Sequence, residues 1–418
     1  MMPKAAVIGF GCAGFHGVKG LRAAGWTGEI HVYTDTGQPP ANPMLTTYYA
    51  SGRLPYEGLF PFGPLEEIAE RYGLTLHCAP VTGLDSASKT VRCADGTELS
   101  FDRVLLSTGA RALVPPLEGT DLDGVYCMRT VRDAERLSAR LEQGPVRSAV
   151  VVGASMVGIK LVELLHRRGC HCVLADLAQR IFPLAALEEA AAEIQARLLR
   201  QGVDLRFGAG IQGISQQEDG LRASFGDGSH IDCDLVLLCM GTRADTRLAD
   251  EGIRVNRGIM VNQRMETSAP GVYAAGDCCE GRNLQSGQTQ IIGLWANAAR
   301  QGEVAGRSMA GLPACTQGDL PHNITHFLDM DFIGVGDNRL PGTPLSFTSR
   351  DGSTRIWAVR DGKKLVCLNI LDNCKSSGVL KQYLIRRLSG NRALIPAAGR
   401  ARLLWEGISP EFLDLLET

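Results

Sequence analysis

Short, wholly apolar runs recur along this chain, each ending in a glycine turn. Ala6-Val7-Ile8, Val104-Leu105-Leu106, Ala149-Val150-Val151-Val152 and Leu235-Val236-Leu237-Leu238 have no polar alternation. Such runs predict strands buried on both faces, as in a parallel sheet flanked by helices. Elsewhere the period lengthens: residues 66–72 read as an amphipathic helix, and Leu187–Arg200 and the stretch from Trp295 to Met309 read as helical. Residues 74–100 and 203–231 carry short alternating runs broken by turn signals such as Ala94-Asp95-Gly96-Thr97, which predict small antiparallel meanders. Between residues 38 and 64 a segment rich in Pro and Tyr predicts a long loop with short helical pieces.

The order of these elements repeats. Strand, glycine turn, helix, acid-ended strand, helix, meander and closing strand occur once before Pro115-Pro116 and once after it. The pattern implies a fold made by internal duplication, without the short period of a solenoid. The chain then returns to Gly271-Val272-Tyr273-Ala274-Ala275-Gly276-Asp277. From about Pro321 onward, short strands mix with a helix near Gly378–Leu388, and this part reads as an additional α+β domain. The expected class is therefore α/β: two Rossmann-like dinucleotide-binding domains, the second inserted in the first, plus a C-terminal α+β domain. Boundaries follow at 1–115 with 244–320, at 116–243, and at 321–418.

The two glycine turns carry the chemistry. The first is Gly9-Phe10-Gly11-Cys12-Ala13-Gly14, and Asp35 ends the next strand roughly twenty residues later. In this fingerprint Gly9 permits the tight turn, Gly11 lets a pyrophosphate approach the backbone, and Gly14 allows close packing of helix on strand. The helix N-terminus offers free N–H groups to the phosphates, and Asp35 suits the ribose hydroxyls. The second is Gly153-Ala154-Ser155-Met156-Val157-Gly158, with Asp176 at similar spacing and Gly241 at the end of the closing strand. Ser155 replaces the middle glycine there and crowds the phosphate modestly. Two nucleotide clamps in one chain point to electron transfer between two nucleotides.

A length of 418 residues implies two or three domains, and a net charge of −2 without long single-sign runs disfavours nucleic acid as a partner. No apolar stretch is long enough to span a bilayer, and the expected compartment is the cytoplasm. The thirteen cysteines include no Cys-x-x-Cys; Cys170 and Cys172 are one residue apart and Cys278-Cys279 adjacent. An iron–sulfur cluster, a metal site or a thioredoxin-like dithiol is therefore not expected, and most thiols should be small buried residues.

With these motifs in this order the chain resembles the pyridine nucleotide–disulfide oxidoreductase superfamily, in the branch containing NADH oxidases, rubredoxin reductases and the flavin domain of nitrite reductase. The resemblance implies FAD at the first turn and NAD(H) at the second. It also implies that Thr108 and Gly109 sit at the exit of the first domain. Gly276 and Asp277 would meet the flavin's ribityl chain, and the helix that follows would point its positive end at the flavin. Asp176 favours NADH over NADPH, although Arg180 is close enough in sequence to meet a phosphate. Lys160 stands where many relatives carry a glutamate, and is otherwise a solvated helix residue. Segments around Asn42 and Trp295 resemble the flavin subunits of multi-subunit 2-oxoacid oxidoreductases such as phenylglyoxylate dehydrogenase, which adds both residues to the cofactor set.

One departure narrows the chemistry. Anchoring on Leu54-Pro55-Tyr56 places Gly52 where the disulfide-reducing relatives carry a cysteine, and no cysteine lies between Cys12 and Cys78. No catalytic side chain is assigned. The expected activity is FAD-dependent transfer of electrons between NAD(H) and an iron–sulfur or ferredoxin-like partner, as the flavin subunit of a complex assembled through the C-terminal domain. The alternatives are a free-standing NADH oxidase, a rubredoxin or ferredoxin reductase, and a redox sensor that binds FAD and NADH without turnover.

Overall fold

The computed structural model of the chain describes residues 2–362, 364–388 and 394–417. These form two compact units: residues 1–111 with 242–319, and residues 112–241 with 320–418.

The first unit is built on a five-stranded parallel sheet in the order Val272–Ala274, Arg103–Leu106, Lys4–Ile8, Glu29–Tyr33, Leu74–His77. Ala5, Ala6, Val7, Val104 and Leu105 are fully buried, as an unbroken apolar run requires. The sheet places the first glycine turn at the carboxyl end of its central strand, where open α/β sheets bind ligands. Helices Cys12–Ala23 and Trp295–Met309 cross at short range because glycines face each other: a Cβ at Gly302 would sit 2.2 Å from the Ala13 carbonyl oxygen, and one at Gly306 would sit 2.1 Å from that of Gly17. Only hydrogen fits at those points.

The second unit repeats the plan. Its parallel sheet runs Asp204–Phe207, His171–Asp176, Ser148–Val152, Leu235–Leu238, Val125–Cys127. Each unit also carries a three-stranded antiparallel meander, Val81–Ser100 in one and Ile211–Cys233 in the other. The duplication read from the sequence is thus present in the strand order, with one correction. Leu74–His77 and Asp204–Phe207, expected to open the meanders, instead join the parallel sheets as edge strands.

Residues 320–418 contribute a five-stranded antiparallel sheet in the order His322–Phe327, Met330–Gly336, Lys364–Leu371, Arg355–Asp361, Thr343–Thr348. Helices Ser377–Leu388, Ala397–Trp405 and Pro410–Glu417 follow it. Among the described residues no helix is long and apolar enough to cross a membrane.

Candidate functional site

At the first turn Gly9 has φ +87°, and an added Cβ would meet the Ser107 carbonyl oxygen at 2.5 Å. A Cβ at Gly14 would meet the Gly9 carbonyl oxygen at 2.3 Å. These two glycines are required by the fold itself. Gly11 is different: its φ is −88°, and a Cβ there meets no protein atom within 4 Å. Open space therefore lies before the N-terminus of a twelve-residue helix, whose unpaired N–H groups favour an anion. The Ser107 hydroxyl donates to the carbonyls of Gly9 (2.7 Å) and Ile8 (3.1 Å), pinning the turn to the neighbouring strand.

A cavity of about 470 Å³ adjoins this turn, lined by Gly9, Tyr33, Asp35, Thr108, Asp245 and Arg247 among others. Asp35 is exposed at its mouth. Thr108 donates its hydroxyl to the Asp245 carbonyl at 2.6 Å, and Gly109 follows with φ +70°. Asp245 and Arg247 were not identified from the sequence. Arg247 grips the Asp245 carboxylate with two hydrogen bonds (2.8 and 2.6 Å), which holds that carboxyl below its usual range. No local motif marks this pair; the backbone brings it to the cavity from beyond the closing strand.

Around the helix start, Gly276 lies against Ala13 and the Trp295 backbone against Cys12. A Cβ at Gly276 would lie 3.0 Å from that of Ala13, and the Gly276 N–H donates to Gln301 at 2.9 Å. The Cys12 thiol donates to the Trp295 carbonyl at 3.4 Å. Burial, reinforced by the Asp277 carboxylate, pushes that thiol up to about 12. The Trp295 ring stacks on Phe62 (5.8 Å), which stacks in turn on Phe15 (4.0 Å). Asn42 is buried and caps the single helical turn Pro43–Leu45 by accepting from the Met44 N–H at 3.0 Å. It does not line the cavity.

The second turn has the same construction. Gly153 has φ +112° and lies against the Cys239 carbonyl, and a Cβ at Gly158 would sit 2.0 Å from the Gly153 carbonyl oxygen. The Ser155 hydroxyl accepts from the Gly158 N–H (3.2 Å) and donates to the Cys239 carbonyl (3.1 Å), so the replaced glycine has become a helix N-cap. Asp176 accepts from the N–H groups of Ala154 (2.7 Å) and Ala178 (2.8 Å), which fixes its carboxylate beside the turn. Gly153, Ser155, Met156, Asp176 and Gly241 line a cavity of about 560 Å³ that is otherwise mostly apolar. Val157 and Gly158 lie just inside the helix and do not line it; nor does Arg180. Lys160 is not a solvated residue: it is paired with the buried Glu163 and donates to the His326 carbonyl at 2.7 Å.

All thirteen cysteines are free thiols. Cys278 and Cys279 are fully buried, their thiols donate to backbone carbonyls, and burial raises both above the usual thiol range. A thiol so placed is a poor nucleophile. Gly52 occupies an exposed turn with φ +77°. Among the described residues no group of three or more His, Cys, Asp or Glu is arranged to hold a metal.

A family model described as pyridine nucleotide-disulphide oxidoreductase matches residues 3–302. The chain belongs to that family. An NADH oxidase of Methanocaldococcus jannaschii is 28% identical over 340 residues, covering 80% of this chain and 76% of the relative. The NADH-dependent phenylglyoxylate dehydrogenase subunit epsilon of Aromatoleum evansii is 27% identical over 396 residues, covering 92% of each. The water-forming NADH oxidase from Lactobacillus brevis, bound to NADH, shares the fold with a TM-score of 0.87 at 21% identity, covering 93% of this chain and 91% of that one. The protein is an FAD- and NAD(H)-dependent oxidoreductase, related also to ferredoxin and rubredoxin reductases.

Proposed function

We propose that the protein passes electrons between NAD(H) and a separate iron–sulfur or ferredoxin-like carrier. In this reading FAD lies along Gly9, Gly11, Ala13, Gly14, Asp35, Thr108, Gly109, Gly276, Asp277 and Trp295, with Asn42 shaping the adjacent loop. NAD(H) lies along Gly153, Ser155, Met156, Val157, Gly158, Asp176 and Gly241. Residues 1–115 with 244–320 act as the flavin domain, 116–243 as the nicotinamide domain, and 321–418 as the part that meets other subunits. FAD held there would supply hydride acceptance and one-electron release, the chemistry that joins a nicotinamide to a one-electron carrier.

The protein's own groups serve that exchange by position and charge. The two helix N-termini bind pyrophosphate, and Asp35 and Asp176 accept hydrogen bonds from ribose hydroxyls. A carboxylate at residue 176 also repels a 2′-phosphate, which favours NADH.

The observation that carries the reading is the state of the thiols. Anchoring on Leu54-Pro55-Tyr56 assigns Gly52 to the slot that disulfide-reducing relatives fill with cysteine, and Cys12, Cys278 and Cys279 are buried with raised pKa values. Electrons that leave without a thiol relay suit a one-electron acceptor. The 27% identity to a phenylglyoxylate dehydrogenase subunit over 92% of both chains supports a place within a larger assembly.

The second reading is a free-standing NADH oxidase, favoured by the similarity to the Methanocaldococcus protein. An assay with the purified chain, NADH and a [2Fe–2S] ferredoxin separates the two. The proposal expects NADH to reduce ferredoxin under argon and expects slow oxygen uptake in air. Fast oxygen uptake with no ferredoxin reduction would establish the oxidase reading instead.

A further inference from the structure

One wall of the 560 Å³ cavity is the segment Phe182-Pro183-Leu184-Ala185, which leaves the strand ending at Asp176 and enters the helix Glu188–Arg200. This wall is an irregular stretch. Phe182 has φ +50°, a conformation a bulky side chain rarely adopts, and Leu184 is 70% exposed at the rim. Backbone carbonyls in such a segment need partners, and regular structure supplies few here.

The partners come from the C-terminal sheet of the same unit and from the turn that follows its strand Met330–Gly336. Asn338 donates its amide to the carbonyls of Pro183 (3.1 Å) and Ala186 (2.7 Å). Asn369, which is fully buried, accepts from the Leu187 N–H (2.6 Å) and donates to the Ala185 carbonyl (2.9 Å). The Phe182 ring is held against Phe332 (5.0 Å) and Phe327 (5.8 Å) of that sheet. Asn369 offers an acceptor and donors to mixed backbone groups, whereas Asn338 offers only donors, to two carbonyls that a carboxylate would oppose. Asn323, on the strand His322–Phe327, lines the cavity itself and places an amide in a mostly apolar wall.

We propose that the C-terminal sheet is a working part of the pyridine-nucleotide site: Asn338 and Asn369 are positioning residues that hold segment 182–187 as the wall against which the dinucleotide lies, and Asn323 contacts the dinucleotide directly. The inference rests on the reading of this cavity as the NAD(H) site. It gives residues 321–418 a role in nicotinamide affinity in addition to any role in assembly.

The test uses the full-length, flavin-loaded protein with NADH as the varied substrate and ferricyanide as acceptor. Asn338→Ala and Asn323→Ala should each raise KM for NADH by about tenfold, equivalent to about 1.4 kcal/mol, with kcat within about twofold and flavin content unchanged. A role limited to stability would lower the melting temperature without this split between KM and kcat. Asn338→Asp provides a second measure, because its carboxylate faces two carbonyls when ionised and regains a donor when protonated. At pH 8, where the carboxylate is ionised, its KM should exceed that of the native protein by at least as much as that of Asn338→Ala does. Asp176→Ala is the reference. If it raises KM while both asparagine variants leave KM unchanged, the C-terminal sheet has no part in binding and the proposal is overturned. Unchanged KM in all three variants would overturn the assignment of the cavity, and the proposal with it.

Discussion

Gly11→Val is expected to give a folded protein that has lost its yellow colour. The three glycines of the first turn differ in what they oppose. Gly9 and Gly14 press against backbone oxygens at 2.5 and 2.3 Å once a Cβ is added, so substitution there damages the turn before any ligand is considered. Gly11 has an ordinary φ of −88° and no protein atom within 4 Å of its Cβ position, so a valine is accommodated by the polypeptide. What the valine methyls fill is the approach to the helix N-terminus that a pyrophosphate needs. Flavin content after desalting should fall to less than about a tenth of the native value, a loss of more than about 1.4 kcal/mol in binding, while the far-ultraviolet circular dichroism stays native. Full flavin content in Gly11→Val would show that the N-terminal turn is not the flavin site.

Asp176→Ala is expected to raise KM for NADH by about tenfold to a hundredfold and to leave bound FAD intact. A hydrogen bond to a charged acceptor contributes roughly 1.5 to 3 kcal/mol, and the Asp176 carboxylate is already oriented by the Ala154 and Ala178 N–H groups. Removing it would delete the proposed ribose contact and leave the Ala154 N–H at the glycine turn without its acceptor. Steady-state kinetics with ferricyanide, together with the ratio of flavin to protein absorbance, measure both parts. Equal losses of NADH affinity and of flavin would mean that the two clamps are not separate sites.

The elements whose conformation is dictated locally were legible in the sequence. The glycine turns, the buried strands and the helix Trp295–Met309 each follow from side-chain size and period over a few residues. Pairing partners were less legible. Leu74–His77 and Asp204–Phe207 look like the first strands of meanders because their neighbours do, yet each finds a parallel partner far away in sequence. The same limit applies to side chains assembled by the tertiary fold. Asp245 and Arg247 reach the first cavity and Asn323 the second, while Asn338 and Asn369 bond the backbone of the second cavity's wall, all from stretches with no nucleotide motif. Lys160 illustrates the converse: its helix position reads as solvated, but Glu163 and the His326 carbonyl enclose it. A cation enclosed by groups from elsewhere in the fold leaves no periodic trace.

In the proposed function electrons leave the flavin without passing through a thiol. Stopped-flow absorbance under argon tests it most directly, with the untreated native protein compared with a Cys12→Ser, Cys278→Ser, Cys279→Ser variant treated with iodoacetamide. Each is first reduced by one equivalent of NADH and then mixed with ferricyanide. The account predicts that flavin reoxidation in the triple variant keeps the native rate within about threefold, about 0.7 kcal/mol in barrier height, and that a disulfide such as cystine gives no comparable reoxidation in either protein. Normal reduction by NADH followed by loss of reoxidation in the variant would contradict direct transfer and place a cysteine in the path.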